Sequence, residues 1–271
     1  MPFVTANGAR LHYTEAGSGP ECVVFSHGLF WSGEMFAAQI EALRGQYRCI
    51  AYDHRGQGQS EITEGGYDMD DQARDAAALL EALSATPCHW VGLSMGGFVG
   101  MRLAARQPWL IRSLTLLDTA ADPEPAHRKE LRRLMGYLSR VVGFRPFLGE
   151  AMRAMFGAPF LGDPARAPER AALREKLAKV RPAGGSRALF AVIDRKGIEG
   201  ELGKIRAPTM VVSGEADVAV VPERSRRTAS LIAGAEFKTV PRAGHSCTME
   251  EPAAVSALIA DFLERARARA T

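Results

Sequence analysis

One serine in this 271-residue chain stands where a catalytic nucleophile could stand. Residues 92–97 have the sequence G-L-S-M-G-G, which follows a strand-like run and opens a helix-like one. A sharp strand-to-helix turn strains the backbone of its central serine, and glycines on both sides remove the Cβ atoms that would clash. We therefore expect Ser94 to project its hydroxyl from the end of a sheet. The N–H of Met95 would then lie at a helix N-terminus, where it can stabilise an oxyanion.

A nucleophilic serine needs a base within hydrogen-bonding reach, and the base needs a carboxylate to orient it. Of the six histidines, His245 is the best candidate because it lies on a glycine-containing loop just after the last predicted strand. The other five are expected to serve packing, loop support or the surface: His12, His27, His54, His89 and His127. For His127, in the segment 122–200, contact with the substrate is the alternative.

The orienting carboxylate should follow a strand that lies between the serine and the histidine in the chain. Asp217 follows the predicted strand 209–213 and gives the order Ser94, Asp217, His245, so we assign it this role. Asp118 is the alternative, because it ends another predicted strand and would lie at the same edge of the sheet.

A second oxyanion donor is expected after an early strand, where residues 25–30 read F-S-H-G-L-F. Gly28 would let the backbone approach the serine, so that the N–H of Leu29 donates beside that of Met95. The substrate pocket is expected to be apolar and to include Phe30, Trp31, Phe144 and Met155. Phe144 and Met155 could instead belong to a core of the segment 122–200 itself. This chemistry requires no metal and no organic cofactor.

The elements that must position these residues alternate along the chain. Apolar runs read as strands covered on both faces, which is typical of a parallel sheet. Helical patterns lie between them, so the sequence predicts a doubly wound α/β domain. Asn7-Gly8, between two short strand-like runs, predicts an N-terminal hairpin. The predicted main strands are 22–26, 47–52, 89–93, 111–117, 209–213 and 236–240.

Residues 122–200 interrupt this alternation with a proline-broken, helical and arginine-rich pattern. A segment of this length is too long for a plain loop in a compact domain. We interpret it as a helical lid over a core formed by 1–121 and 201–271, although 186–196 could instead be a helix of the core. The arginines over 128–145 are interleaved with apolar residues and are expected to lie on solvated helix faces.

The charge and composition of the chain limit the kinds of molecule that it is expected to bind. The formal net charge is only +3, which does not by itself indicate a nucleic-acid or membrane partner. The N-terminus has no signal-peptide pattern, and no apolar run is long enough for a membrane span. The four cysteines lack C-x-x-C spacing. We therefore expect a cytoplasmic protein that acts on a small molecule. The sequence leaves the oligomeric state open, a homo-oligomer included.

Together these motifs resemble the α/β-hydrolase family, in the branch that contains bacterial esterases, enol-lactonases and cofactor-free haloperoxidases. The resemblance implies an α/β-hydrolase fold with a mostly parallel eight-stranded sheet flanked by helices, one antiparallel strand near the N-terminus and a helical lid after the sixth strand. The matching motifs are S-H-G at 26–28, Y-D-H-R-G-Q-G-Q-S at 52–60, G-L-S-M-G-G at 92–97, P-T-M-V-V-S-G-E-A-D at 208–217 and A-G-H at 243–245.

The activity that this resemblance implies is cleavage of small or medium apolar acyl or aryl esters through an acyl-enzyme. Serine at position 94 argues against epoxide and carbon–halogen hydrolysis, for which such relatives carry aspartate. Phe30, where perhydrolase-like relatives often carry proline, favours ester hydrolysis. Enol-lactone and carbon–carbon bond hydrolysis stay open as alternatives. Their carboxylate substrates would need arginines near Ser94, such as Arg140, Arg145 or Arg153. A receptor-like ligand-binding protein on this fold is the alternative of another class.

Overall fold

The centre of the molecule is an eight-stranded sheet in the order β1-β2-β4-β3-β5-β6-β7-β8, seen in a computed structural model that describes residues 2–268. Strand β2 runs antiparallel to both of its neighbours, and the ladder from β4 to β8 is parallel. The predicted fold class is thereby confirmed. The strands are β1 Phe3–Ala6, β2 Ala9–Ala16, β3 Cys22–Ser26, β4 Arg48–Tyr52, β5 Cys88–Leu93, β6 Ile111–Leu117, β7 Thr209–Gly214 and β8 Glu236–Val240.

Helices cover both faces of this sheet, because crossovers between parallel strands place them there. Among residues 2–268, no helix is both long enough and apolar enough to cross a bilayer. The helices are α1 Ala37–Leu43, α2 Met69–Ala82, α3 Met95–Arg106, α4 Ala126–Val142, α5 Leu148–Met155, α6 Ala158–Gly162, α7 Ala167–Ala178, α8 Pro182–Ile193, α9 Pro222–Ser230, α10 Cys247–Glu250 and α11 Pro252–Ala268.

The N-terminal hairpin forms as its turn residues require. Asn7 and Gly8 both have positive φ, at 46° and 74°, as in a two-residue turn whose twist matches the flanking strands. Strands β1 and β2 pair over their full four-residue register, from Phe3 opposite His12 to Ala6 opposite Ala9.

The interruption between β6 and β7 contains the five helices α4 to α8, with short 3₁₀ turns between α4 and α5 and between α6 and α7. Helix α8 packs against α4, and α5 packs against α7. Residues 186–193 of the segment 186–196 are part of α8, whose buried residues Ala188, Leu189, Val192 and Ile193 also pack in the hydrophobic core of the sheet. We refer to α4 to α8 as the helical insertion.

Strand β8 differs from its prediction. Because 236–240 was grouped with the apolar runs, we expected β8 to be covered on both faces, but Lys238 and Thr239 are exposed. The reason is its position at one edge of the sheet, where, among residues 2–268, it pairs only with β7. An edge strand is more exposed to water, and an exposed lysine is common there.

The carboxyl ends of the parallel strands meet at one edge of the sheet, where ligands bind in open α/β folds. The loops after β3, β5, β6, β7 and β8 all reach that edge. They carry Leu29, Ser94, Asp118, Asp217 and His245, so five chain segments that are distant in sequence converge there.

Candidate active site

Ser94 has strained backbone angles, with φ 50° and ψ −108°, immediately before α3. Close packing of backbone segments makes this turn possible. A Cβ on Gly96 would lie 2.0 Å from the carbonyl oxygen of Ser26, and one on Gly92 would lie 2.4 Å from that of Gly96. Hydrogen bonds fix the strained residue, because its N–H donates to Leu117 O at 2.8 Å and its carbonyl accepts from the Thr119 hydroxyl at 2.8 Å. Strain held this firmly is typical of a functional position.

His245 and Asp217 form a buried hydrogen-bonded pair. Nδ1 of His245 lies 2.8 Å from Oδ2 of Asp217. The other oxygen of Asp217 accepts the amides of Ala219 and Val220 at 2.8 and 3.0 Å. The carboxylate is therefore held on both oxygens. It fixes the proton on Nδ1 and leaves Nε2 of the ring as the acceptor.

Charge around the ring favours its protonated form. Burial alone would lower the pKa of His245, but the charge of Asp217 and its hydrogen bond to the ring outweigh burial, so the pKa is raised above 6.5. A base with a pKa near neutral pH is well matched to proton transfer at that pH.

Ser94 and His245 line the same cavity of about 540 Å³. No hydrogen bond joins the Ser94 hydroxyl to the imidazole in the part of the chain that the structure describes. Contacts of this kind are often long without substrate and tighten when substrate binds. The cavity therefore brings together the serine, the imidazole and, behind it, the Asp217 carboxylate.

Asp118, the alternative carboxylate, has a different environment. It is fully buried, and its two oxygens accept the amides of Gly214 at 2.7 Å and Cys247 at 3.4 Å. Those amides belong to the loops that carry Asp217 and His245, so Asp118 ties the two loops together. Burial and, next, the charge of Asp217 raise the pKa of Asp118 to about 8. The imidazole of His245 donates its Nδ1 proton to Asp217 and not to Asp118.

Glu250, which we did not single out from the sequence, holds the histidine loop. Its carboxylate accepts the amides of Gly244 and Ser246, on either side of His245, at 2.9 and 3.1 Å. It also accepts the amide of Gly157 in the helical insertion at 2.8 Å. Burial raises the pKa of Glu250, and the three amides oppose that shift. The local sequence shows only that a glutamate stands five residues after the histidine, which does not by itself indicate this role.

The loop after β3 places the Leu29 amide at the mouth of the site. A Cβ on Gly28 would lie 2.9 Å from the Leu93 side chain and 3.6 Å from the Cβ of Ser94, so the loop passes directly beside the serine. Within residues 2–268, the N–H groups of Leu29 and Met95 have no recorded hydrogen-bond acceptor. An oxyanion hole requires two free amides near the nucleophile. Leu29 lines the same cavity as Ser94, and Met95 follows Ser94 directly in the chain.

His27 supports this loop, as expected from the sequence. Its Nδ1 donates to the carbonyl of Gly28 at 2.7 Å, and its Nε2 accepts the amide of His54 at 2.9 Å. Burial lowers the pKa of His27, which keeps the ring neutral and preserves both bonds. The two rings pack edge to face with centroids 4.6 Å apart.

Three of the four predicted pocket residues line the cavity: Phe30, Phe144 and Met155. The rings of Phe30 and Phe144 pack with centroids 4.8 Å apart. Trp31 does not line this cavity, so the prediction was wrong for that residue. Its indole packs against Phe156 at 6.0 Å and borders a neighbouring cavity. Phe30 has positive φ, so the loop turns sharply there and directs consecutive side chains to different sides.

The charged residues of the cavity were not anticipated. Arg128 and Arg132 line it, as do Glu124 and Arg195, whereas the sequence pattern indicated solvated helix faces for the first two. Among the apolar residues of α4, Leu134, Tyr137, Leu138 and Val141 are exposed and do not line the cavity. Leu131 is exposed as well but lines the cavity. Arg132 faces the cavity because its guanidinium pairs with the buried carboxylate of Glu124, and Arg128 does so because it donates to the carbonyls of Val218 and Ala219.

Only one of the arginines considered for a carboxylate substrate reaches the cavity. Arg153 lies at its rim and pairs with Glu150 at 2.9 Å. Arg145 is exposed and faces Glu175 at 3.7 Å, and Arg140 is also exposed.

Comparison with known proteins gives a consistent result. A family model described as the alpha/beta hydrolase fold matches residues 21–252. A candidate carbamate hydrolase, RutD, from Variovorax paradoxus is 30% identical over 263 residues, which cover 95% of this chain and 97% of that protein.

Two solved structures are also closely similar. A thermophilic esterase from Thermogutta terrifontis, with malate bound, superposes with a TM-score of 0.90 at 28% identity and covers 98% of each chain. The enol-lactonase from Burkholderia xenovorans LB400 also gives 0.90 at 28% identity, covering 97% of this chain and all of that one.

Proposed function

Because this chain belongs to the α/β-hydrolase family, we propose that it is a serine hydrolase that cleaves carboxylic esters through an acyl-enzyme at Ser94. One observation carries the proposal. The His245 ring, held by Asp217 at 2.8 Å, lines the same cavity as the strained Ser94. The relatives are described as an esterase, an enol-lactonase and a candidate carbamate hydrolase, and all three names denote attack on a carbonyl that bears a leaving group.

The proposed reaction has two halves. The Ser94 Oγ attacks the ester carbonyl while Nε2 of His245 takes the hydroxyl proton. The amides of Leu29 and Met95 donate to the oxyanion, and each such donor contributes roughly 3 kcal/mol to stabilising the transition state. His245 then gives the proton to the departing alcohol, which leaves the acyl group on Ser94. In the second half His245 takes a proton from water, the hydroxide attacks the acyl carbonyl, and Ser94 regains its proton as the acid departs.

Cavity size and lining set the proposed substrate range. About 540 Å³ is within the range of sites for small and medium-sized ligands, and Phe30, Phe144 and Met155 supply apolar contacts. We therefore expect the enzyme to accept small or medium acyl and aryl esters. The helical insertion would act as the lid, since it contributes most of the lining residues.

Hydrolysis of p-nitrophenyl acetate and butyrate by wild type and Ser94→Ala tests the proposal. Wild type should turn over many equivalents, and Ser94→Ala should lose activity by about 10³-fold or more. Ser230→Ala is the matched control, because Ser230 is exposed at the end of α9 and bonds only to its own helix. Equal rates for wild type and Ser94→Ala would overturn the proposal. A stoichiometric burst without steady-state turnover would favour the receptor-like alternative.

A further inference from the structure

One wall of the cavity beside Ser94 is charged. Glu124 is buried, and each of its carboxylate oxygens holds one guanidinium, that of Arg132 at 2.6 Å and that of Arg195 at 3.0 Å. We call these three residues the charged wall. All of them line the cavity that also contains Ser94 and His245.

The two arginines of this wall are not equivalent. Arg195 is almost completely enclosed: it also donates to the carbonyls of Val192 and Asp122, and its guanidinium lies 4.3 Å from the centroid of Phe98. It is a structural tie between α8 and the start of the insertion. The Arg132 side chain stays 28% exposed, and its bond to Glu124 is the only hydrogen bond recorded for it among the described residues. Arg132 therefore keeps donors available to a ligand.

Positive charge exceeds negative charge at this wall. The single carboxylate of Glu124 is shared by two arginines. Arg128, which lies on the same helix as Arg132, adds a third cation. Arg128 is held by the carbonyls of Val218 and Ala219 at 3.2 and 3.0 Å, and these acceptors carry no net charge. The acidic residue at the rim, Glu150, is already paired with Arg153.

We infer that the substrate of this site carries an ionised carboxylate besides its scissile ester, and that Arg132 binds this carboxylate. The inference rests on the proposed ester hydrolysis and narrows its substrate class. A planar guanidinium matches a carboxylate with two parallel hydrogen bonds, and the partly buried setting strengthens them. An apolar ester would leave the excess cation beside it without a counter-charge, which is unfavourable in a desolvated pocket.

Two matched substrate pairs test the inference, because the carboxylate can belong to either half of the ester. For the acyl side, mono-p-nitrophenyl glutarate is compared with p-nitrophenyl valerate. For the alcohol side, 4-acetoxybenzoate is compared with 4-acetoxybenzamide. In at least one pair, wild type should favour the anionic member in kcat/KM by about 10- to 100-fold. Arg132→Met should remove that preference through KM, lowering kcat/KM on the anionic member by about 10- to 100-fold more than on the neutral member.

Arg133→Met is the control, since Arg133 is adjacent on α4 but pairs with Asp194 outside the cavity, and it should retain wild-type selectivity. A merely structural role for Arg132 would reduce both members of each pair equally, and that result would overturn the inference. So would the absence of an anionic preference in both pairs. If no ester of either pair is hydrolysed, the proposed function itself fails. If the neutral esters are hydrolysed in a Ser94-dependent way without an anionic preference, only the inference fails.

Discussion

The backbone N–H of Phe30 donates a hydrogen bond to Oε1 of Gln57 across 2.7 Å, at a residue whose φ is 70°. The amide nitrogen of the same Gln57 lies 3.7 Å from the sulfur of Met95. One buried side chain thus bridges the two segments whose amides, at Leu29 and Met95, are proposed to hold the oxyanion. Gln57 belongs to the motif at 52–60 and, within residues 2–268, makes no hydrogen bond to Ser94 or His245.

Replacing Gln57 with alanine should therefore lower kcat without a comparable change in KM. The donors themselves remain, but the Leu29 amide would no longer be fixed. The loss should accordingly be about 10-fold, smaller than the 10²- to 10³-fold typical of deleting a donor. Steady-state kinetics on p-nitrophenyl butyrate measure this, with the exposed Gln59→Ala as the matched control. A Gln57→Ala enzyme with wild-type kcat would show that the loop needs no such support.

The pH dependence of kcat/KM should have an acid limb above pH 6.5. Activity requires neutral His245, and the raised pKa of this ring means that activity is lost as the pH falls through a value above 6.5. Asp217→Asn should move the limb to lower pH, because the charge that raises the pKa is gone, and should reduce kcat by about 10³- to 10⁴-fold. A wild-type limb below pH 6, or one that does not move in Asp217→Asn, would contradict the assigned pair.

Because of Asp118, the free energy of unfolding should decrease as the pH rises towards about 8. Its pKa in the folded protein is raised to about 8, so its contribution to stability is complete at low pH and is lost as the pH rises through that value. Asp118→Asn stays neutral. Its Tm relative to wild type should rise between pH 6 and pH 9 by at least about 3 °C. Asp261→Asn, on the exposed face of α11, should show a constant difference, and a constant difference for Asp118→Asn would refute the buried-acid interpretation.

The turn at Ser94 should not tolerate a methyl group at Gly96. A Cβ there would meet the Ser26 carbonyl at 2.0 Å, and a backbone oxygen cannot rotate away as a side chain could. Gly96→Ala should lower the free energy of unfolding by at least about 3 kcal/mol. Gly45→Ala introduces a Cβ with nothing within 4 Å and should change it by less than about 0.5 kcal/mol. Urea denaturation compares the two variants, and equal stabilities would contradict the packing described around the turn.

Several site elements could be anticipated because their signals are local in the sequence. Glycines flank Ser94 because the backbone passes close to other backbone atoms at both Gly92 and Gly96, and the pattern is visible within six residues. Asp217 and His245 follow strands, and parallel strands bring their carboxyl ends to one edge whatever the details of packing. The Asp217–His245 hydrogen bond agrees with that expectation, whereas the catalytic roles of these residues stay predictions.

The cavity wall could not be anticipated because nothing local in α4 marks its inner face. The spacing of Leu131, Leu134, Leu138 and Val141 would normally turn that stripe toward a core. Arg132 is instead held in the cavity by Glu124, just before the helix, and Arg128 by the carbonyls of Val218 and Ala219 after β7, which is a tertiary contact. Trp31 was misplaced for a similar reason, because the positive φ of the preceding residue decides which cavity its indole borders.

Covalent labelling of Ser94 tests the central claim most directly. Wild-type protein is treated with a fluorophosphonate, which forms a stable ester with an activated serine, and the adduct is located by intact-mass and peptide mass spectrometry. We predict one adduct, on the peptide that contains Ser94, absent from Ser94→Ala and formed at least about 100-fold more slowly in His245→Ala. An adduct on another serine, or labelling at an undiminished rate without His245, would contradict the account.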